Sequence, residues 1–166
     1  ELLEKSSFFG LRNTGSIDAI KTIVPKELHH KIVFQPCTTT LIRKLYEKSL
    51  TPKIQTDKIA FNIALDRPEN RFGGNKEKVL HQIALAAKKI ADKGYKLYYV
   101  SHCGVDKGFI PYLKSAKVGF KAVDLSLSYP EDILSFYNQM DVVIGMRGHA
   151  QMIPFGLNCE IITLGS

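Results

Sequence analysis

"DVVIGMRGHAQMIPFGLNCEIITLG", residues Asp141 to Gly165, reads as strand, loop, helix, strand. Val142 to Met146 is a short apolar run with β-branched residues, Cys159 to Gly165 is a second, and a helix from about His149 to Phe155 fits between them. Both runs read as buried strands, and strands apolar on both faces belong inside a parallel sheet covered by helices on both sides. Arg147 and His149 stand two positions apart where the first strand hands over to the helix.

Working back from this stretch, the same alternation recurs. "KIAFNIAL" (Lys58–Leu65) reads as a strand, and "DRPENRFGGN" (Asp66–Asn75) reads as a loop. Val79, Leu80, Ile83, Ala84, Ala87, Ile90 and Ala91 then mark one face of a long helix. Asn75 is placed to cap its start and Gly94 to end it in the left-handed conformation. "YKLYYVS" and "FKAVDLS" read as strands, with a short helix in "KGFIPYLKSA" that Pro111 interrupts early. "SYPEDILSFYNQM" opens with Ser128 and Glu131 at capping-box spacing and carries Ile133, Phe136, Tyr137 and Met140 on one side of a helix.

The fold class expected is α/β, a Rossmann-like parallel sheet with helices on both faces. Residues 58–166 form that domain, 48–57 ("KSLTPKIQT" and its flank) a polar linker, and 1–47 the tail of a preceding α/β unit. In the tail, "SSFFGLR" and "KIVFQ" read as strands, with helices near Ser16–Ile23 and Thr38–Tyr46.

Composition narrows the function classes. With 166 residues and 45% hydrophobic content, the chain can bury a substantial core. Its longest apolar runs fall far short of the roughly 20 residues that cross a bilayer. "ELLEKSSFFG" carries no secretory pattern, and the chain is expected to be a piece of something longer. Cys37, Cys103 and Cys159 form no C-x-x-C pair, so a disulfide framework and a zinc site are not expected and a reducing cytoplasm is. His29, His30 and His81 have no second ligand at useful spacing, and no metal is expected. The charge of +7 is spread over scattered lysines with no interleaved aromatics, which points to solvated faces and not to a nucleic-acid partner.

In a doubly wound sheet, ligands sit beyond the carboxyl ends of the strands. Gly145 to His149 falls at such an end, where helix N–H groups favour an anion and Gly145 and Gly148 permit close backbone approach. Arg147 adds a planar fork suited to carboxylate or phosphate, and His149 a proton that moves near neutral pH. The same spacing also admits a plainer arrangement, with Arg147 paired to a carboxylate and His149 capping the helix. Ser101 and His102 end "KLYYVS" and face the same edge as candidate substrate contacts. Arg67, Arg71 and Gly73-Gly74 precede a helix start and read more as an exposed mobile loop than as an aid to anion binding. No G-x-G-x-x-G or P-loop pattern occurs.

"MDVVIGMRGHAQMIPFGLNCEIITLG" resembles the signature region of the polysaccharide pyruvyl transferase family, in which an R-L-H-A-like motif follows a strand and precedes a helix and a further strand. "FFGLRNTGSIDAI" is similar to a second landmark of that family, an arginine followed four positions later by serine, here Arg12 and Ser16. Gly148 stands where leucine is usual and Asn13 where aspartate is common. The resemblance implies a donor site for phosphoenolpyruvate built by Arg12 and Arg147 with Ser16 beside them, and His149 as catalytic acid or base. It implies no further cofactor. It also implies a sugar or lipid-linked saccharide acceptor from a surface polysaccharide, peripheral rather than spanning contact with a membrane, and the C-terminal half of a two-Rossmann-domain, GT-B-like transferase. Two other readings remain open: a GT-B-like glycosyltransferase with a nucleotide-sugar donor, and a non-catalytic module that binds an anion or sugar.

Overall fold

The computed structural model describes residues 1–165, which divide into two compact units, Glu1–Thr40 and Leu41 onward. The first holds helix α1 (Leu2–Lys5), strand β1 (Phe9–Leu11), helix α2 (Thr14–Ile23) and strand β2 (Ile32–Phe34). β1 and β2 are parallel, with Phe9 opposite Ile32 and Leu11 opposite Phe34, so α2 is the crossover that parallel pairing requires. Asn13 Oδ1 accepts the Ser16 N–H at 2.7 Å and starts α2. Gly10 is crowded by Gln35: a Cβ there would lie 2.9 Å from Gln35 Cβ. Lys31 Nζ donates to the carbonyls of Leu3, Glu4 and Ser6, tying α1 to the unit.

The second unit continues with helix α3 (Ile42–Tyr46), strand β3 (Lys58–Asn62), helices α4 (Pro68–Phe72) and α5 (Lys76–Asp92), strand β4 (Lys96–Ser101), helix α6 (Ile110–Ser115) and strand β5 (Lys121–Asp124). Helix α7 (Pro130–Asn138), strand β6 (Val142–Gly145), helix α8 (His149–Gly156) and strand β7 (Glu160–Thr163) complete it. The strand order is β5-β4-β3-β6-β7, all parallel, which is a Rossmann-like α/β sheet.

The period of two along the strands builds two cores. Ile59, Phe61, Leu97, Tyr99 and Ile144 join Leu80, Ala84 and Ala87 of α5 and Leu113 of α6 on one face. Ala60, Val100 and Val143 join Tyr137 of α7, Leu157 and Cys159 on the other, where Ile42 of α3 is also buried. α3 thus belongs to the second unit, and Arg43 Nη1 reaches Asn138 Oδ1 at 3.1 Å. Leu80 is fully buried; Leu80→Ala is expected to cost about 2–5 kcal/mol. A shift of less than 1 kcal/mol in a urea titration would show that the site collapses around the missing methyls.

Several local expectations need correction. β7 is one edge of the sheet and mostly exposed, with no strand paired to its outer side among the described residues. Asn75 holds the cap position of α5 but its side chain accepts no bond, since the chain enters from a 3-10 turn (Gly73–Asn75) and not from an extended segment. The Ser128–Glu131 capping box does not form: Pro130 begins α7 and moves the cap to Tyr129, one residue out of register. Pro111 lies in the first turn of α6, where its missing N–H costs nothing, so it begins that helix instead of interrupting it. Residues 38–41 form a 3-10 turn ahead of α3. Gly94 does take the left-handed conformation after α5, at φ +92°.

Candidate active site

β3 connects onward to β4 on one side, while β6 and β7 lie on the other, so the strand order reverses between β3 and β6. The crevice at the carboxyl ends of strands at such a switch point is where open α/β sheets hold ligands. Asn62 ends β3 directly opposite Gly145, which ends β6, and Ser101 ends β4. Gly145 is buried, and a Cβ there would press on Gln151 Cγ at 3.3 Å. The segment that follows it carries Arg147, Gly148 and His149 into α8.

Asp106 organises this edge. It is completely buried in the 3-10 turn after β4. Its carboxylate accepts the backbone N–H groups of His102 (3.1 Å) and Cys103 (3.2 Å) and the Asn62 amide (3.4 Å). Arg147 completes the set through Nε (2.9 Å) and Nη2 (2.7 Å), a side-on fork that fixes the guanidinium plane. Hydrogen bonding to Asp106 pushes Arg147 above its ordinary value, against the effect of burial. Asn62 links the strands to this centre by donating to Val100 O at 2.9 Å and accepting from the Arg147 N–H at 3.4 Å. No hydrogen bond to Arg147 Nη1 forms among the described residues, and the side chain keeps 17% of its exposure.

A second carboxylate approaches the same arginine. Asp66 Oδ1, on the loop after β3, lies 2.8 Å from Arg147 Nη2. That oxygen is shielded from solvent and makes no aligned hydrogen bond, so the contact is an ion pair and not a second fork. Asp66 Oδ2 is 3.5 Å from Arg71 Nη2, and Arg71 Nε donates to the Asp66 carbonyl at 2.9 Å. Burial would raise the Asp66 pKa, but Arg147 and Arg71 outweigh it and hold the group below the usual carboxylate range. Arg71, expected on an exposed loop, is thus drawn to the sheet edge.

His102 is half-buried, stacked on Tyr137 with ring centroids 5.9 Å apart, and its Nε2 shares a 2.6 Å hydrogen bond with the Tyr137 hydroxyl. Burial lowers the His102 pKa, the charges of Arg147 and His149 add to this, and Asp106 opposes it. Burial raises Tyr137, which stays a neutral phenol. Ser101 is buried at the end of β4. His149 is the first residue of α8 and is exposed, with no side-chain hydrogen bond among the described residues. The cap position belongs to Gly148, whose carbonyl accepts the N–H groups of Gln151 and Met152. The N–H groups of Gly148, His149 and Ala150 find no acceptor among the described residues, as at any helix start.

In the first unit, Arg12 directly follows β1 and is exposed, and Ser16 lies in the first turn of α2 with its N–H on Asn13. The arginine again stands where a strand passes to a helix. Cys37 is held below the ordinary thiol range chiefly by its hydrogen bonds with Thr39, with a smaller contribution from Arg12.

Ser101, His102, Gly145, Arg147, Gly148 and His149 therefore converge on one sheet edge of the second unit. Sequence reasoning missed Asn62, Asp66, Asp106 and Tyr137. Asn62 had a signal, being the one amide in the apolar run "KIAFNIAL"; Asp106 had none beyond standing three residues after Cys103. A cleft of about 450 Å³ lies at the opposite edge, where Lys53, Asp57, Asp141 and Glu160 surround the amino ends of the strands. Its lining includes none of the residues that converge on the carboxyl edge. Among the described residues no three His, Cys, Asp or Glu side chains converge as metal ligands, and no helix is long and apolar enough to cross a membrane.

No curated protein and no solved structure matches the chain significantly. A family model described as Polysaccharide pyruvyl transferase matches residues 1–166, the length of the sequence. The chain therefore belongs to the polysaccharide pyruvyl transferase family.

Proposed function

We propose that this chain serves the transfer of a pyruvyl group from phosphoenolpyruvate to a sugar of a surface polysaccharide. The observation that carries this reading, beside family membership, is the sheet edge itself. A guanidinium fixed by a buried carboxylate, three free helix N–H groups and an exposed histidine meet at the switch point of a Rossmann-like sheet.

The reaction needs a proton at the methylene carbon of the enol phosphate, attack by two sugar hydroxyls at the neighbouring carbon, and release of phosphate. One hydroxyl proton balances the methyl group and the other leaves with phosphate, so the product is a cyclic ketal and inorganic phosphate. His149 supplies and recovers the proton as general acid and base. The Nη1 side of Arg147, left open by Asp106, and the N–H groups of α8 hold donor oxygens. Ser101 and His102 stand at the same edge as substrate contacts, and Gly145 and Gly148 admit the donor close to the backbone. No further cofactor is invoked. The acceptor is a saccharide, free or lipid-linked, and a lipid-linked one would bring the protein to a membrane surface. Three unpaired thiols suit the cytoplasm.

Titration calorimetry with phosphoenolpyruvate and with UDP-glucose tests this. Arg147→Lys is preferable to alanine, because lysine keeps a cation beside Asp106 while losing the planar fork. Binding of phosphoenolpyruvate that falls about tenfold or more in Arg147→Lys, with no heat from UDP-glucose, is the expected result. Preference for the nucleotide sugar would move the chain to glycosyl transfer, and anion binding without any phosphate release in the presence of acceptors would make it a binding module.

A further inference from the structure

Two carboxylates meet Arg147, and they meet it differently. Asp106 is fully buried and makes two short, aligned bonds to it. Asp66 sits on a loop, keeps 36% of its side-chain exposure and makes only a misaligned ion pair with Arg147, while its other oxygen accepts a long 3.5 Å hydrogen bond from Arg71 Nη2. The first contact is architecture. The second places a carboxylate between two guanidinium groups with one long hydrogen bond from Arg71 and no aligned bond from Arg147.

We infer that Arg71 and Arg147 form an oxyanion clamp and that Asp66 is its tethered internal competitor, displaced when a phosphoryl or carboxylate group of a substrate enters. The reasoning is electrostatic. Asp106 neutralises Arg147, so with Asp66 between them the two arginines and two carboxylates sum to zero. With Asp66 swung out to solvent, one positive charge faces the crevice beside the free N–H groups of α8. An entering oxyanion can take bidentate geometry on Arg71 or on the open side of Arg147, which Asp66, held by its short side chain, does not attain. The competitor lowers apparent affinity by the fraction of time it occupies the clamp and keeps two arginines desolvated and aligned.

This inference rests on the donor-site reading above for its location but not for its chemistry, and the experiment separates the two. Inorganic phosphate, pyruvate and phosphoenolpyruvate are titrated in turn into the wild-type chain and into Asp66→Asn, Asp66→Ser, Arg71→Gln and Arg71→Lys, each checked by near-UV circular dichroism. Phosphate or pyruvate shows which oxyanion the clamp prefers. Asp66→Asn and Asp66→Ser are expected to bind that anion about tenfold more tightly than wild type, because a like charge a few ångströms from the ligand is gone. Arg71→Gln is expected to weaken binding about tenfold, with Arg71→Lys restoring part of it because the charge returns. A carboxylate serving only to hold the loop would not give tighter binding on removal. Unchanged or weaker binding in both Asp66 variants, indifference to Arg71→Gln, or no oxyanion bound by any variant overturns the inference. If phosphate follows the expected pattern while phosphoenolpyruvate is ignored, the clamp stands and the pyruvyl reading falls. If phosphoenolpyruvate binding responds to Arg147→Lys but to no change at Asp66 or Arg71, the pyruvyl reading stands and the clamp falls.

Discussion

Asp106→Ala is expected to destabilise the second unit by about 3–5 kcal/mol, the usual result of removing one partner from a buried ion pair. The carboxylate is fully buried, and its loss strands the Arg147 fork and two backbone N–H groups and removes one of the two acceptors of the Asn62 amide. Asp106→Asn keeps the shape and one acceptor oxygen, so about half of that loss is expected, with Arg147 no longer held in one plane. Urea titration followed by tyrosine fluorescence reads both variants. A change under 1 kcal/mol for Asp106→Ala would show that water replaces the carboxylate and that Arg147 is positioned by something else.

His149→Ala is the second large effect, and it falls on rate alone. Loss of the proposed general acid and base is expected to lower kcat by about 10²–10⁴. The side chain is exposed and makes no hydrogen bond among the described residues, so the urea midpoint is expected to stay within the small range of surface substitutions. Phosphate release from phosphoenolpyruvate in the presence of a saccharide acceptor measures the first, and denaturation the second. Full activity in His149→Ala would remove the proton from this residue and turn attention to His102, whose pKa is lowered chiefly by burial and whose Nε2 shares a hydrogen bond with Tyr137.

Gly148 departs from the leucine usual in the family motif, and the structure shows how the departure is accommodated. Its φ of −53° is ordinary for any residue, and a Cβ there meets nothing within 4 Å. The position is open, so a side chain is admitted sterically and the glycine leaves the helix start uncovered.

Much of the fold was legible in the sequence because burial on both faces of a parallel strand leaves an unambiguous trace. "KIAFN", "KLYYVS" and "VVIG" are apolar at every interior position, and the helix between the first two shows a clean 3.6-residue face. Edge strand β7 misled for the same reason: its composition is that of an interior strand, but only pairing decides which strand ends the sheet. Caps at Asn75 and Ser128 failed because capping depends on how the chain enters the helix, and a 3-10 turn in one case and Pro130 in the other changed that entry.

The sequence by itself determined the alternation of strands and helices and placed Arg147 and His149 at a strand's carboxyl end, since both follow from local periodicity and turn chemistry. Only the tertiary structure decided what Arg147 does with its charge. Asp66 and Asp106 lie 81 and 41 positions before it, and the sheet order that sets β3 between β4 and β6 brings both carboxylates to its guanidinium. Ion pairs between residues so far apart leave no periodic mark, because a charged side chain reads alike whether it meets water or a buried partner.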